Sequence, residues 1–342
     1  MSLRRFHARN VQPRPPARKS DGILLARRVS LKVAFSELTW WSMRKLKFLI
    51  SLHSNENDFQ IAQAKAAEEA AHRLGISVEI SYADNDAVNQ STQILKAIQS
   101  PAESRPDAIV LEPVSGSALP QVARAACSAG VGWAVLNRNP DYMLELRRAA
   151  VAPIFTVSSD HAEIGRIQGK QFAALLPRGG SILYIEGPAQ SSSAQKRADG
   201  MLETKPANIQ ISRVRGKWTE ESAERAVSSW LNLATSQKSA IDLVSAQDDS
   251  MAMGARKAFQ KIANEEERRR WLSLPFTGCD GQPTAGQTWV RKGWLAATIY
   301  ISPLAGKAIE ILAKAIQERS QPPEGTVTAS YSIPPLDELA PR

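Results

Sequence analysis

From residue 45 onward, short continuous apolar runs alternate with stretches whose apolar positions recur every three or four residues. The first run, KLKFLISLH (45–53), has the length and composition of a strand buried on both faces. A helix is predicted over about 58–74, where Phe59, Ala62, Ala66, Ala70 and Leu74 recur at helical spacing and Gly75 supplies the stop. The unit then repeats as SVEISY (77–82), a helix around VNQSTQILKAIQS, DAIVLEP (107–113), a helix ending near Gly130, and GWAVLN (132–137). Pro140 and Pro153 mark the loop that follows. A second series begins with IFTVSS (154–159), a helix over about 161–176, SILYIEG (181–187), a helix near 193–204 and IQISRV. It continues with a helix over ESAERAVSSWLNLA, then IDLVSA (241–246), a helix over about 249–263 and the run LPFTGCDG. A short helix near 284–292, LAATIYI (295–301) and a helix over 304 to about 318 complete it.

Apolar strands separated by amphipathic helices specify parallel sheets covered by helices on both faces, and two such series predict an α/β protein of two doubly wound lobes. In open sheets of this kind ligands bind beyond the carboxyl ends of the strands. At those ends the chain places HSNEND, EPVSG, NRNP, SSDH, EGP, AQDD and CDG, a set rich in hydrogen-bonding groups and poor in histidine. The pattern points to binding rather than catalysis. His53 and His161 are the only histidines at strand ends, and no acid partner or metal-ligand spacing stands beside them. RGG and EGP lack the full phosphate-cradling patterns, so neither a nucleotide nor any other cofactor is expected, nor a metal.

The net charge of +9 is unevenly placed. Residues 1–47 hold twelve Lys and Arg against Asp21 and Glu37, whereas the other 295 residues carry 31 basic and 32 acidic side chains. The body therefore has no overall pull on phosphates, and no nucleic-acid partner is expected. Residues 1–42 mix Pro, Arg and Ser without periodicity and read as a disordered basic extension. Within it LKVAFSELTWW is interrupted by Lys32, Ser36 and Glu37 and makes a poor secretory signal. Met43 is an alternative start that would open the chain directly on the first strand. No uninterrupted apolar run approaches the eighteen or so residues of a spanning helix, so the chain is not expected to cross a membrane. Cys127 and Cys279 read as free buried thiols, and EEERRR (265–270) as a solvated helix end.

Seven segments in order carry a family resemblance: NDFQIAQAKAAEEAAHRLG, LNRNP, VSSDHAEIGRIQGK, SSSAQKRADGM, AQDDSMAMGARKAF, GCDGQPTAG and GWLAATIYISP. Together they resemble the type I periplasmic sugar-binding proteins, the ribose-binding-protein-like components of ABC importers. The same fold serves as the effector domain of lac-repressor-type regulators. The resemblance covers residues 45 to about 330 and implies two hinge-joined lobes. The first comprises 43–158 plus about 302–329, the second 159–301 plus about 330–342. It implies a monomer that binds a sugar or sugar-like polyol between the lobes and delivers it to an ABC permease or a sensor protein in the cell envelope. The poor signal leaves the cytoplasm as the alternative. A regulator would need a helix-turn-helix at its front, and the Pro-interrupted residues 1–42 show no paired amphipathic helices. An enzyme would need a nucleophile and base, and none is visible.

Carried over residue by residue, the resemblance places a sugar-binding amide at Asn57 and a ring-stacking aromatic at Phe59. The Asp-Arg pair after the fourth strand becomes Asn137 and Arg138. The cleft arginine falls on Arg197, a loop aromatic on Trp218, the AQND asparagine on Asp248 and the FDG aspartate on Asp280. Five of them have a structural alternative: capping and core packing for Asn57 and Phe59, a surface charge for Arg138, pairing with Asp199 or Glu203 for Arg197, and interlobe packing for Trp218. Asn at 137, Cys279 where an aromatic is frequent and Ile301 where ribose binders carry an amide argue against a ribose pocket. Aromatic plates with planar Asn, Asp and Arg groups suit a ligand that has apolar ring faces and many hydroxyls. Asp248 would accept two hydroxyls or favour a cationic group, while Asp249 would cap the following helix.

Overall fold

The structure of the protein, a computed structural model, describes residues 45–114, 119–233 and 240–341, so the expectations for residues 1–42 and for a start at Met43 lie outside the described residues. The elements in chain order begin with β1 (Lys47–Leu52), α1 (Asp58–Leu74), β2 (Ser77–Tyr82), α2 (Ala87–Ile98), β3 (Ala108–Leu111) and α3 (Pro120–Ser128). Next come β4 (Gly132–Leu136), α4 (Met143–Ala149), β5 (Ile154–Ser159), α5 (His161–Leu175), β6 (Gly180–Glu186) and α6 (Ser192–Thr204). They continue with β7 (Ile209–Arg215), α7 (Glu220–Leu231), β8 (Leu243–Ala246), α8 (Asp249–Gln260), α9 (Glu265–Ser273) and β9 (Phe276–Thr277). The last are α10 (Gly286–Arg291), β10 (Thr298–Ile301), α11 (Ala305–Glu318), β11 (Gly325–Thr328) and β12 (Ser330–Ile333).

One lobe is built on a parallel sheet of order β11-β5-β4-β3-β1-β2. Its strands are buried on both faces because helices cover both. Phe48, Ile50, Leu52, Phe155 and Val157 pack under α1 and α11, and Leu49, Ile109, Trp133 and Val135 under α2, α3 and α4. The other lobe has a parallel sheet of order β7-β6-β8-β9, continued by bridges from Thr277 to Ala297 and from Asp280 to Tyr300. At its far edge β10 and β12 pair antiparallel, which departs from the expected all-parallel arrangement. Among the described residues the chain passes between the sheets three times: after Ser159, after Ile301 and at Ala329.

Several local expectations change. IFTVSS does not open the second series; as β5 it pairs with β4 and β11 in the first sheet. A buried strand reads alike in either sheet, so its apolar run carries no information about which one it joins. The loop between Pro140 and Pro153 contains α4, held by buried Met143 and Leu146. EEERRR is the largely exposed first part of a helix of its own, α9, where Asn264 Oδ1 accepts from Glu267 N at 2.9 Å and buried Trp271 stacks on Phe259 at 4.8 Å. Both cysteines are free, yet only Cys279 is buried; Cys127 is partly exposed, a correction to the expectation of two buried thiols. Among the described residues no helix is long and apolar enough to cross a membrane.

Candidate functional site

Both sheets have their strand-order reversal at the second strand in sequence, between β1 and β3 in one lobe and between β6 and β8 in the other. The loops leaving those strand ends surround one cavity of about 540 Å³, a volume that includes the solvent at its mouth. All eight residues singled out from the sequence line it: Asn57, Phe59, Asn137, Arg138, Arg197, Trp218, Asp248 and Asp280. Seven of them are buried, and Trp218 is half-buried.

Asn57 combines capping with a contact across the cleft. Its Oδ1 accepts from Phe59 N at 2.8 Å and Gln60 N at 3.3 Å at the start of α1. Its Nδ2 donates to the Trp218 carbonyl at 2.9 Å and lies 3.5 Å from Asp248 Oδ2. Phe59 reaches into the opposite lobe, in an apolar cluster with Ile164, Ile167, Cys279, Ile299 and Ile301. Cys279 and Ile301 thus stand behind Phe59 and do not line the cavity.

Asn137 ends β4 in the left-handed region, with φ of 56°, a conformation Asn tolerates better than most residues. Its Nδ2 donates to Glu112 Oε1 at 3.0 Å, while Gln60 and Gln63 donate to Glu112 Oε2 at 3.0 and 3.3 Å. Glu112 therefore orients the Asn137 amide, and Asn137 Oδ1 is left buried without a donor among the described residues. Arg138 is only 9% exposed, so the surface-charge alternative does not apply. It spans the cleft, donating from Nε to the Pro113 carbonyl at 3.4 Å and from Nη1 to Ser191 Oγ at 3.0 Å and Ser193 Oγ at 3.2 Å.

Arg197 pairs with neither Asp199 nor Glu203; Glu203 is taken by Arg166 at 3.0 Å. Its Nη1 donates to the Gln247 carbonyl, its Nε faces His161 Nδ1 at 3.4 Å, and its guanidinium lies 5.6 Å from the centre of the Trp218 ring. The ring approaches over Gly187, where an added Cβ would lie 2.2 Å from it. His161 Nε2 is 3.3 Å from the Asn137 carbonyl. The carbonyl only accepts, so Nε2 carries the proton and Nδ1 receives the Arg197 N–H. His161 is thereby neutral, and burial, followed by the Arg197 charge, holds its pKa well below the usual histidine range.

The adjacent aspartates divide their roles differently from expectation. Asp248, not Asp249, is the helix cap: its Oδ1 accepts from Met251 N at 2.6 Å, while Oδ2 stays at the cavity wall. Asp249 turns inward, accepting from Thr298 Oγ1 and Gly281 N, each at 2.7 Å. Gly278 and Gly286 crowd it so closely that an added Cβ would sit 2.1 or 2.0 Å from its carboxylate. Asp249 thus fixes the loop carrying Asp280, whose φ of 103° sets its carboxylate on the cavity. Burial pushes Asp248 up to about 7; burial and the neighbouring Asp248 push Asp280 well above the carboxylate range.

Sequence reasoning missed Glu112, Ser191 and Ser193 and set aside His53 and His161, which also line the cavity. Glu112 was visible as the polar residue ending DAIVLEP, but nothing in its spacing shows that three amides converge on it.

Residues 48–320 match the family described as a periplasmic binding protein domain. The chain is similar to the ribose import binding protein of Salmonella typhimurium, 22% identical over 279 residues that cover 81% of this chain and 86% of the relative. It is 26% identical over 259 residues to the D-allose-binding periplasmic protein of Escherichia coli, covering 75% and 79%. Among solved structures, a galactofuranose binding protein superposes with a TM-score of 0.71 at 22% identity, covering 84% of this chain and 94% of that one. At that identity the superposition establishes the fold.

Proposed function

The chain belongs to the periplasmic binding protein domain family, and on that premise we propose that it captures a sugar or sugar-like polyol between its lobes as the substrate-binding component of an ABC importer or a sensory system. The observation that carries this reading is the composition of the interlobe cavity. Phe59 and Trp218 supply apolar plates, while Asn137, Arg138, Arg197, Asp248 and Asp280 supply planar donors and acceptors at the ends of two parallel sheets. Such groups suit a ring with apolar faces and a hydroxyl rim, and unpaired buried polar atoms would penalise a wrong stereoisomer. Hydrogen bonds from Asn57 and Arg138 across the cleft support a closed form that excludes water. The three chain crossings form the hinge about which the lobes open for entry and release. Relatives named for ribose import and as a periplasmic D-allose binder support a place in the cell envelope.

The test is a thermal-shift screen over sugars, polyols and other small polar metabolites, because a ligand that binds only the folded state raises the melting temperature with saturation. Stabilisation by a carbohydrate, weakened by Arg138→Ala, supports the proposal. Stabilisation only by a different metabolite class overturns it.

A further inference from the structure

We infer that the ligand carries an ammonium group, as an amino sugar does, and that Asp248 and Asp280 receive it; the inference rests on the sugar-binding reading above. The ionisable groups facing the cavity are Glu112, Asp248 and Asp280, Arg138 and Arg197, and His53 and His161. The two guanidiniums are committed elsewhere: their hydrogen bonds go to the Pro113 and Gln247 carbonyls, two serine hydroxyls and an imidazole, none to a carboxylate among the described residues. Glu112 is satisfied by three amide donors.

The other two acids are not satisfied. Asp280, 6% exposed, has no side-chain hydrogen-bond donor among the described residues. Asp248, 2% exposed, places Oδ1 on Met251 N and leaves Oδ2 with only the long Asn57 contact of 3.5 Å. A buried carboxylate without donors is costly, and the ligand must relieve it. An ammonium brings three donors and the opposite charge, whereas a hydroxyl brings one donor and none.

The charge balance points the same way. His161 is held neutral by its two partners, and burial lowers the affinity of His53 for a second proton. Three carboxylates then face two guanidiniums, leaving one negative charge for a monovalent cation to neutralise. The Arg197 charge favours ionisation of both Asp248 and Asp280, but burial outweighs it, and two further acids, Asp249 on α8 and half-buried Asp58 on α1, disfavour ionisation of Asp280 and Asp248 respectively. Before ligand binds, the pair therefore retains a proton near neutral pH, and an ammonium takes its place. An ammonium rather than a bare ion suits the pair because its N–H groups supply the directed donors that the two carboxylates lack.

Isothermal titration of the full chain at pH 7.5 with matched pairs tests this: D-glucosamine and D-glucose, D-galactosamine and D-galactose, D-mannosamine and D-mannose. The expected result is that an amino member binds roughly tenfold or more tightly than its parent. Protons are released on binding, seen as a dependence of the heat on the buffer's ionisation enthalpy. Asp248→Asn keeps a good helix cap and Asp280→Asn removes the second acid; each abolishes the preference, with folding checked by thermal unfolding. A neutral parent that binds as tightly as its amine, a preference that survives both substitutions, or binding by none of the six overturns the inference. Binding of neutral sugars alone leaves the sugar-binding reading standing, while stabilisation only by non-carbohydrates in the wider screen removes both.

Discussion

Glu112→Gln separates what the site contributes to folding from what it contributes to recognition. In the native protein Gln60 and Gln63 donate to Oε2, and Asn137 donates to Oε1. A glutamine at 112 has one oxygen and one NH2. If the NH2 faced Gln60 and Gln63, two donor pairs would oppose each other; facing Asn137, only one pair does. That pair is relieved when the Asn137 amide turns over and presents Oδ1 to residue 112. The lower-energy arrangement therefore keeps three hydrogen bonds, now neutral rather than charge-assisted, and puts the Asn137 NH2 where its unpartnered oxygen stood. Charge-assisted bonds are worth about 1.5–3 kcal/mol and neutral ones about 0.5–1.5. Relief of carboxylate desolvation offsets part of the difference, so the net destabilisation is about 1–2 kcal/mol. For a chain of this size that lowers Tm by roughly 2–6 °C. If the unpartnered Asn137 Oδ1 accepts from the ligand, affinity falls more steeply, roughly tenfold, because a donor then stands in its place. Differential scanning fluorimetry and titration with the ligand from the screen read the two effects separately. An affinity within a factor of two of the native value, alongside the expected Tm loss, would refute a ligand contact at the Asn137 amide. An unchanged Tm would refute the three-amide account of Glu112.

Other outcomes follow from the same geometry. Arg138→Ala removes the bonds to Ser191 and Ser193 across the cleft and weakens ligand binding roughly tenfold or more in titration; unchanged affinity counts against the cleft assignment. Gly165→Ala on α5 would place a Cβ 2.1 Å from the Arg197 carbonyl oxygen. The overpacking costs about 1–3 kcal/mol in denaturant unfolding and lowers affinity by shifting Arg197; a variant native in both would show that α5 and α6 separate freely. The pH dependence of the ligand-free protein carries the signature of Asp248. Its pKa is raised from about 3.9 in the unfolded chain to about 7, so the stability from its protonated form is full below about pH 4 and is lost as pH rises through 7. Asp248→Asn accordingly raises Tm over the native protein more at pH 8 than at pH 5, and equal shifts at the two values would exclude a buried, protonated acid at this position.

Much of the fold was legible because a parallel α/β lobe repeats one simple code. Runs such as IVL in Ala108–Leu111 can be buried on both faces only between two helical layers, and Gly75 in the left-handed conformation at the end of α1 is the stop its place suggested. The eight candidate residues, carried over from the family resemblance, all come to line one cavity, and several of them, such as Asn137, Asp248 and Asp280, stand just beyond strands, where chain direction delivers them to one edge of a sheet. What those side chains do there was not legible. Asp248 and Asp249 are neighbours in sequence, yet one caps α8 at the cavity and the other is drawn inward by Thr298 and Gly281, partners 49 and 32 residues away. Glu112, His161 and Ser193 acquire their roles from residues 24 to 56 positions distant. Local patterning determined which elements form and where polar groups emerge from them, because helix and strand periodicities involve near neighbours. Only tertiary packing, within each lobe and between the two, decided which hydrogen bonds each polar atom makes, and so which carboxylates are left for a ligand, because those partners come from strands and helices that local sequence does not relate.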